Sequence, residues 1–272
     1  MSEFIRNLVA EVAEINIDGV SDVVVNAMGI IIILLFVVSI FALAVSVFLA
    51  IAYAKYNRRK NSCGKTGEQV ARAILDNHGL ENIKVSKTGS IIYGNSYSHY
   101  FKKVRLRRLT WKKDSVTSLS MAAQKSSLAV LDKEGDPDMK KRVTLAPIIG
   151  FGPLAFIPLI IIGAVLDLYV FKNPNGTAMI ISTVIGLVIY LFSFILSLLV
   201  LKTEKKAQKK ALEIMKAEKL ATAEELEMSK KLFKLYNIEY VNDMVIALLE
   251  LIYRVLQIIS YVQSSNSSSA SK

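Results

Sequence analysis

Ser115–Val130 reads SVTSLSMAAQKSSLAV and lies in the one sizeable polar segment of a 272-residue chain, between two long apolar runs. Asp114 or Ser115 can cap a helix here, because a side-chain oxygen at that place accepts from a backbone N–H that the first turn leaves unpaired. Val116, Leu119, Ala123 and Val130 fall near one helical face, so the stretch predicts an amphipathic helix packed into a small domain. The apolar runs on either side decide what kind of protein holds it.

Ala27–Ala54 carries no charge over 28 residues, more than the roughly 20 residues that cross a bilayer. Val143–Val170 and Thr177–Leu201 form a second and third run, and the fourth, about Val241–Val262, is the least apolar. With 53% apolar residues, the chain reads as an α-helical integral membrane protein of four transmembrane helices. The net charge of +11 does not call for nucleic acid once it is mapped. Residues 55–142 and 202–240 hold most of the Lys and Arg, whereas residues 1–26 set Arg6 against Glu3, Glu11, Glu14, Asp18 and Asp22. Positive charge gathered in two segments on one side of a four-span topology places 55–142 and 202–240 in the cytoplasm and both termini outside. The acidic first 26 residues have no basic start or convincing cleavage site and predict a short external helix with Phe4, Leu8, Val12 and Ile15 near one face.

Between the first two runs the pattern is that of a small α+β domain. Gly64-Lys65-Thr66 matches the tail of a phosphate-binding loop, but the glycine such a loop needs five residues earlier is Arg59. Thr66-Gly67-Glu68-Gln69 is instead a capping box, and Val70, Ala73, Ile74 and His78 share the face of the helix it starts, which Gly79 ends. Ile83–Lys87 and Ser90–Tyr93 are strand-like, and Val104 and Leu106 alternate with Arg105 and Arg107 as a half-buried strand. Aromatics mixed with Lys and Arg from Tyr97 to Trp111 suit a basic edge near anionic lipid better than an RNA surface. Lone Cys63 excludes an internal disulfide or cysteine-based zinc cluster.

The second run contains Pro147, Pro153, Pro158 and three glycines, which predicts a kinked or broken helix, and Lys172–Gly176 predicts a tight external turn. After the third run, Glu204, Ala207/Gln208, Ala211 and Ile214/Met215 recur at helical spacing, and Thr222–Glu225 is a second capping box. Within the runs, Asp167, Glu250 and Arg254 are the charges to account for, with Asp243 near the entrance of the fourth. Asp167 lies near the far end of its run, where it can reach the interface. Glu250 and Arg254 lie inside theirs, where each costs about 2.5–3.5 kcal/mol at mid-membrane on insertion scales, so these two should face protein. Glu250 and Arg254 stand four apart and can pair. Residues 263–272 are Ser-rich and read as a disordered tail.

Together these pieces resemble the membrane-bound neutral zinc metallopeptidase family of bacteria. The resemblance runs from about residue 40 to 262 and rests on TGEQVARAILDNHGL (Thr66–Leu80), Val104-Arg105-Leu106, the helix through Ser120–Ala123, and KKALEIMKAEKLATAEELEMSKKLFKL (Lys209–Leu235). It implies a zincin-like cytoplasmic domain in a bacterial plasma membrane. Such enzymes carry H-E-x-x-H on the central helix: two histidines one turn apart on one zinc ion, with the glutamate between them as general base. At those places this sequence has Gln124, Lys125 and Leu128. Leu128 has no donor atom, Lys125 is a cation where a base is needed, and neutral Gln124 suits zinc poorly. Glu204 matches the family's third ligand, a glutamate just past a membrane span. His78 and His99, the two histidines, are not four apart and neither falls in the motif.

The resemblance therefore implies the family fold without catalytic residues, zinc or any other cofactor. The expected function is that of a pseudoprotease acting as an adaptor or regulator, with the bilayer and a second membrane protein as partners. Glu250, Arg254 and Asp167 are the candidate contacts. The alternatives are an active metallopeptidase with a non-standard site and a small channel or transporter subunit.

Overall fold

The long helices follow from uninterrupted apolar runs, and the short elements from caps and alternation that stop them. The computed structural model describes residues 2–13, 17, 19–89, 94–172 and 177–270. In chain order these form α1 (Ser2–Ala13), α2 (Asp22–Arg58), α3 (Gly67–Asn77), β1 (Lys84–Thr88), β2 (Ser96–Ser98), β3 (Lys103–Arg107), α4 (Arg108–Lys112), α5 (Val116–Lys133), α6 (Pro137–Val165), a π-helical stretch (Leu166–Phe171), α7 (Thr177–Ala217) and α8 (Ala223–Ala270). Four helices, α2, α6 with its π-helical extension, α7 and α8, are long and apolar enough to cross a membrane. The chain divides into one unit of residues 1–43, 147–196 and 241–272 and another of residues 44–146 and 197–240.

In the first unit, α1 packs through Ile5 and Val9 against Val24, Val25 and Met28. This corrects the predicted face: Phe4 and Val12 are exposed, and Ile15 lies outside the described residues. The buried stripe sits one position along because Ile5, not Phe4, meets Gly29, where its Cγ2 fills the space a Cβ would take. The expected break in the second apolar run is absent, since α6 is one helix to Val165. The irregularity falls at its far end, in the π-helical stretch. Gly163 lets α6 and α7 touch, for a Cβ there would stand 2.7 Å from the Ala178 carbonyl oxygen. The turn residues 173–176 lie outside the described residues. Composition predicts no order past 262, yet α8 continues through the Ser-rich end to Ala270.

In the second unit, the predicted capping box is formed: Gln69 N–H donates to Thr66 Oγ1 and Thr66 N–H to Gln69 Oε1. At Gly67 a Cβ would fall 2.1 Å from the Thr110 carbonyl oxygen, so only glycine allows α3 to start against α4. β3 lies between its partners, parallel to β1 and antiparallel to β2. Val104 and Leu106 point inward as the alternation predicts, joining Val70, Ile74, Leu119 and Met215 in the core. Residues 90–93, read as a strand, lie outside the described residues.

Ser115 caps α5 by accepting from Ser118 N–H, which chooses between the two caps left open by sequence. The helix is not amphipathic, however. Every residue from Val116 to Leu131 except Lys125 is buried. Its Ser and Ala side chains are small enough for neighbours to close in on all sides, making it the central element of the unit. A second cap works as predicted at Thr222–Glu225, where Thr222 N–H donates to Glu225 Oε2. The helix it starts is α8, which is continuous into the fourth apolar run.

Candidate functional site

α5 and the stretch of α7 just beyond its apolar run converge at Glu204. Gln124 Nε2 donates to Glu204 Oε2 at 2.8 Å, and Lys125 Nζ donates to the same oxygen at 2.8 Å. On the other oxygen, Arg142 Nη2 donates to Oε1 at 3.0 Å while its Nη1 donates to Thr203 Oγ1 at 2.8 Å. The side chains of Lys125, Glu204 and Arg142 are only 14%, 15% and 20% exposed. A ladder of ion pairs holds this corner together, with Lys210 on Glu134, Lys206 on Asp136 and Lys202 on Asp138.

Burial alone pushes the Glu204 carboxyl up, but the Lys125 and Arg142 cations more than reverse this and hold it at about 2. The group is therefore ionised in the folded protein well below its ordinary value of 4.5. Because its folded pKa is depressed, its stabilisation is complete above 4.5 and disappears as pH falls toward 2. A depression of this size corresponds to roughly 3 kcal/mol. Thermal melts in detergent are expected to show this acid loss in the wild type and a shallower slope in Glu204→Gln; equal slopes would mean that Glu204 is not held this way.

The zinc chemistry of H-E-x-x-H does not fit these side chains. Gln124 and Glu204 do meet, as two ligands would, but an ammonium sits on the carboxylate where a metal cation would bind. Leu128 is fully buried among Leu131, Met139 and Ala207 and brings no donor. Among the described residues no three His, Cys, Asp or Glu converge on a point that could hold an ion. Ser126 and Ser127, between the motif positions, bury hydroxyls that find no hydrogen-bond partner among the described residues.

A cavity of about 420 Å³ opens beside the cluster, lined by Met121, Gln124, Lys125, Glu204, Tyr236 and Tyr240 among others. On its wall Gln208 and Asn237 exchange two amide hydrogen bonds at 2.9 and 2.8 Å. Sequence reasoning reached Gln124, Lys125, Leu128 and Glu204 but missed Arg142 and the Gln208–Asn237 pair. A signal for Arg142 exists: it precedes the second apolar run as Glu204 follows the third, so two antiparallel runs return one toward the other.

The other candidates part ways. Asp167 is buried and accepts from the backbone N–H groups of Ala178 and Met179 at 3.0 and 2.7 Å. It caps the N-terminus of α7. Glu250 and Arg254 are both exposed on α8. No ion pair joins them among the described residues; Arg254 donates to Gln257 Oε1 at 3.2 Å instead. His78 ends α3 with Nδ1 at 2.8 Å from the Ile74 carbonyl, and His99 lies against Asp132 at 2.5 Å.

The family model described as "Putative neutral zinc metallopeptidase" matches residues 30–259. A Bacillus subtilis (strain 168) protein named "Putative membrane protease YugP" is 24% identical over 207 residues, which cover 75% of this chain and 85% of that protein. No solved structure gives a significant match.

Proposed function

The chain belongs to the neutral zinc metallopeptidase family, and from this we propose that it is a non-hydrolytic member that binds another membrane protein as an adaptor or regulator. The observation that carries the reading is the Lys125 ammonium 2.8 Å from Glu204. It supplies in cis the positive charge a metal would bring, and it cannot take a proton from water as the family's glutamate does. Arg142 and Gln124 occupy the remaining reach of the carboxylate. The site is thus a closed ion cluster of structural value. The clustering of Lys and Arg supports a plasma-membrane topology with residues 55–142 and 202–240 in the cytoplasm and both termini outside. Glu250 and Arg254, exposed on one face of an apolar helix, are the contacts proposed for the partner, because lipid is a poor environment for either charge.

Metal analysis of the purified full-length protein tests the first part. We expect zinc far below one ion per chain and no chelator-sensitive cleavage of casein or of membrane-protein substrates. Stoichiometric zinc that disappears in Glu204→Ala, or cleavage abolished by a chelator, would establish an active peptidase instead. Photocrosslinking from position 250 in native membranes tests the second part; the absence of a reproducible protein adduct would remove the proposed partner surface.

A further inference from the structure

The β2–β3 hairpin ends in a turn whose geometry the described residues fix closely. Lys102 N–H donates to the His99 carbonyl at 3.1 Å, and Lys84 N–H donates to the Lys102 carbonyl at 2.9 Å. Lys102 takes the left-handed conformation, with φ of 43°. At the root of the hairpin, Tyr97 Oη donates to Asp132 Oδ2 at 2.6 Å, and His99 Nδ1 lies 2.5 Å from the same oxygen. This held turn presents Tyr100 and Phe101, which are 62% and 66% exposed. Lys103 Nζ and Arg105 Cζ lie over the Phe101 ring, 5.1 and 5.5 Å from its centre. One exposed aromatic needs no explanation, but two adjacent ones on a rigid tip framed by cations form a surface.

The tip's location says what that surface meets. Pro147 has no N–H, so the Val143 carbonyl lacks its usual helical donor. Tyr100 Oη supplies one at 3.0 Å. Val143 is the first residue of the second apolar run, directly after Lys140, Lys141 and Arg142. The tip is therefore pinned where α6 passes from basic to apolar, the level at which aromatic rings and cations meet lipid headgroups. The nearby acids are committed: Asp132 to Tyr97 and His99, Asp136 to Lys206, and Asp138 to Lys202.

We propose that Tyr100-Phe101-Lys102-Lys103 is a bilayer anchor that seats its two rings among anionic phospholipid headgroups beside the start of α6. The anchor rests on α6 entering a membrane at Val143 and does not depend on the state of the Glu204 cluster. It would fix the level of the hairpin, and with it β3, against the membrane surface.

The test uses the full-length protein in vesicles of phosphatidylcholine and phosphatidylglycerol, with Trp111→Phe as background and Phe101→Trp as the fluorescent reporter. Bromine low on the acyl chains, near the headgroups, is expected to quench the reporter indole by about twofold, with less quenching from deep bromine. At equal bromine content, quenching should be stronger when phosphatidylglycerol carries it, and Lys102→Ser with Lys103→Ser should abolish that preference. Absence of bromolipid quenching overturns the proposal, whether acrylamide reaches the reporter from water or a protein shields it from both. Equal quenching from both lipids overturns the anionic assignment. Ile157→Trp, within the apolar run, is the control: if it too escapes bromolipid, it is the membrane placement of α6 that fails.

Discussion

Glu204→Ala is expected to destabilise the protein by about 3–5 kcal/mol, the usual cost of leaving a buried ionic partner uncompensated. The substitution strands two cations, since Lys125 and Arg142 both donate to this carboxylate and are at most 20% exposed. The loss should show as a large drop in melting temperature in detergent. A cavity alone would give a smaller loss that no change at residue 125 repairs, which allows the two causes to be separated. Lys125→Met in the Glu204→Ala background removes one stranded charge and is expected to restore stability, with a coupling of about 1–3 kcal/mol. Strict additivity of the two substitutions would show that the ion pair contributes nothing.

The second large effect is a gain. The triple variant Gln124→His, Lys125→Glu and Leu128→His is expected to take up one zinc ion per chain where the wild type takes up none. The reason lies in the geometry, because the ends of side chains 124 and 204 already meet at 2.8 Å. Two histidines one turn apart on α5 with a glutamate opposite form a ligand set suited to tetrahedral zinc. Binding to the folded state alone should raise the melting temperature with added zinc, by an amount equivalent to about 4 kcal/mol at a thousandfold excess over the dissociation constant. A melting temperature unmoved by zinc in a folded triple variant would show that the scaffold, and not only its side chains, has left the family's geometry. That gain is the counterpart of the proposed loss of hydrolysis, and it needs no activity assay to read.

Local rules made much of this fold legible. Both capping boxes and the inward pair Val104 and Leu106 follow from spacing and side-chain chemistry, and the structure forms each, while the cap of α5, narrowed by sequence to Asp114 or Ser115, is Ser115. Four apolar helices were countable because a bilayer requires length and a lack of charge, which any window of sequence reports. The failures come where tertiary packing decides. The face of α1 depended on Gly29 opposite Ile5. The environment of α5 depended on how many elements crowd a helix of small residues, and no periodicity records that. The partners of Asp167 could not be read either, because they are backbone N–H groups beyond a turn, which have no side-chain signature. In the candidate site, the motif positions and Glu204 were readable through the family pattern. The pairing of Lys125 and Arg142 with Glu204 needed the fold, since 79 and 62 residues separate them from it.

Those separations have a consequence in time. The unit that holds the cluster is assembled from two stretches of chain, with residues 147–196 synthesised between them. At roughly 5–20 residues per second, Glu204 emerges about 3–12 seconds after Arg142. Throughout that interval the nascent domain carries Lys125 and Arg142 without their counter-ion and α5 without the α7 residues that cover it. Its core closes only after both intervening apolar helices have been made, so the domain's last folding step follows, and depends on, delivery of the α6–α7 hairpin.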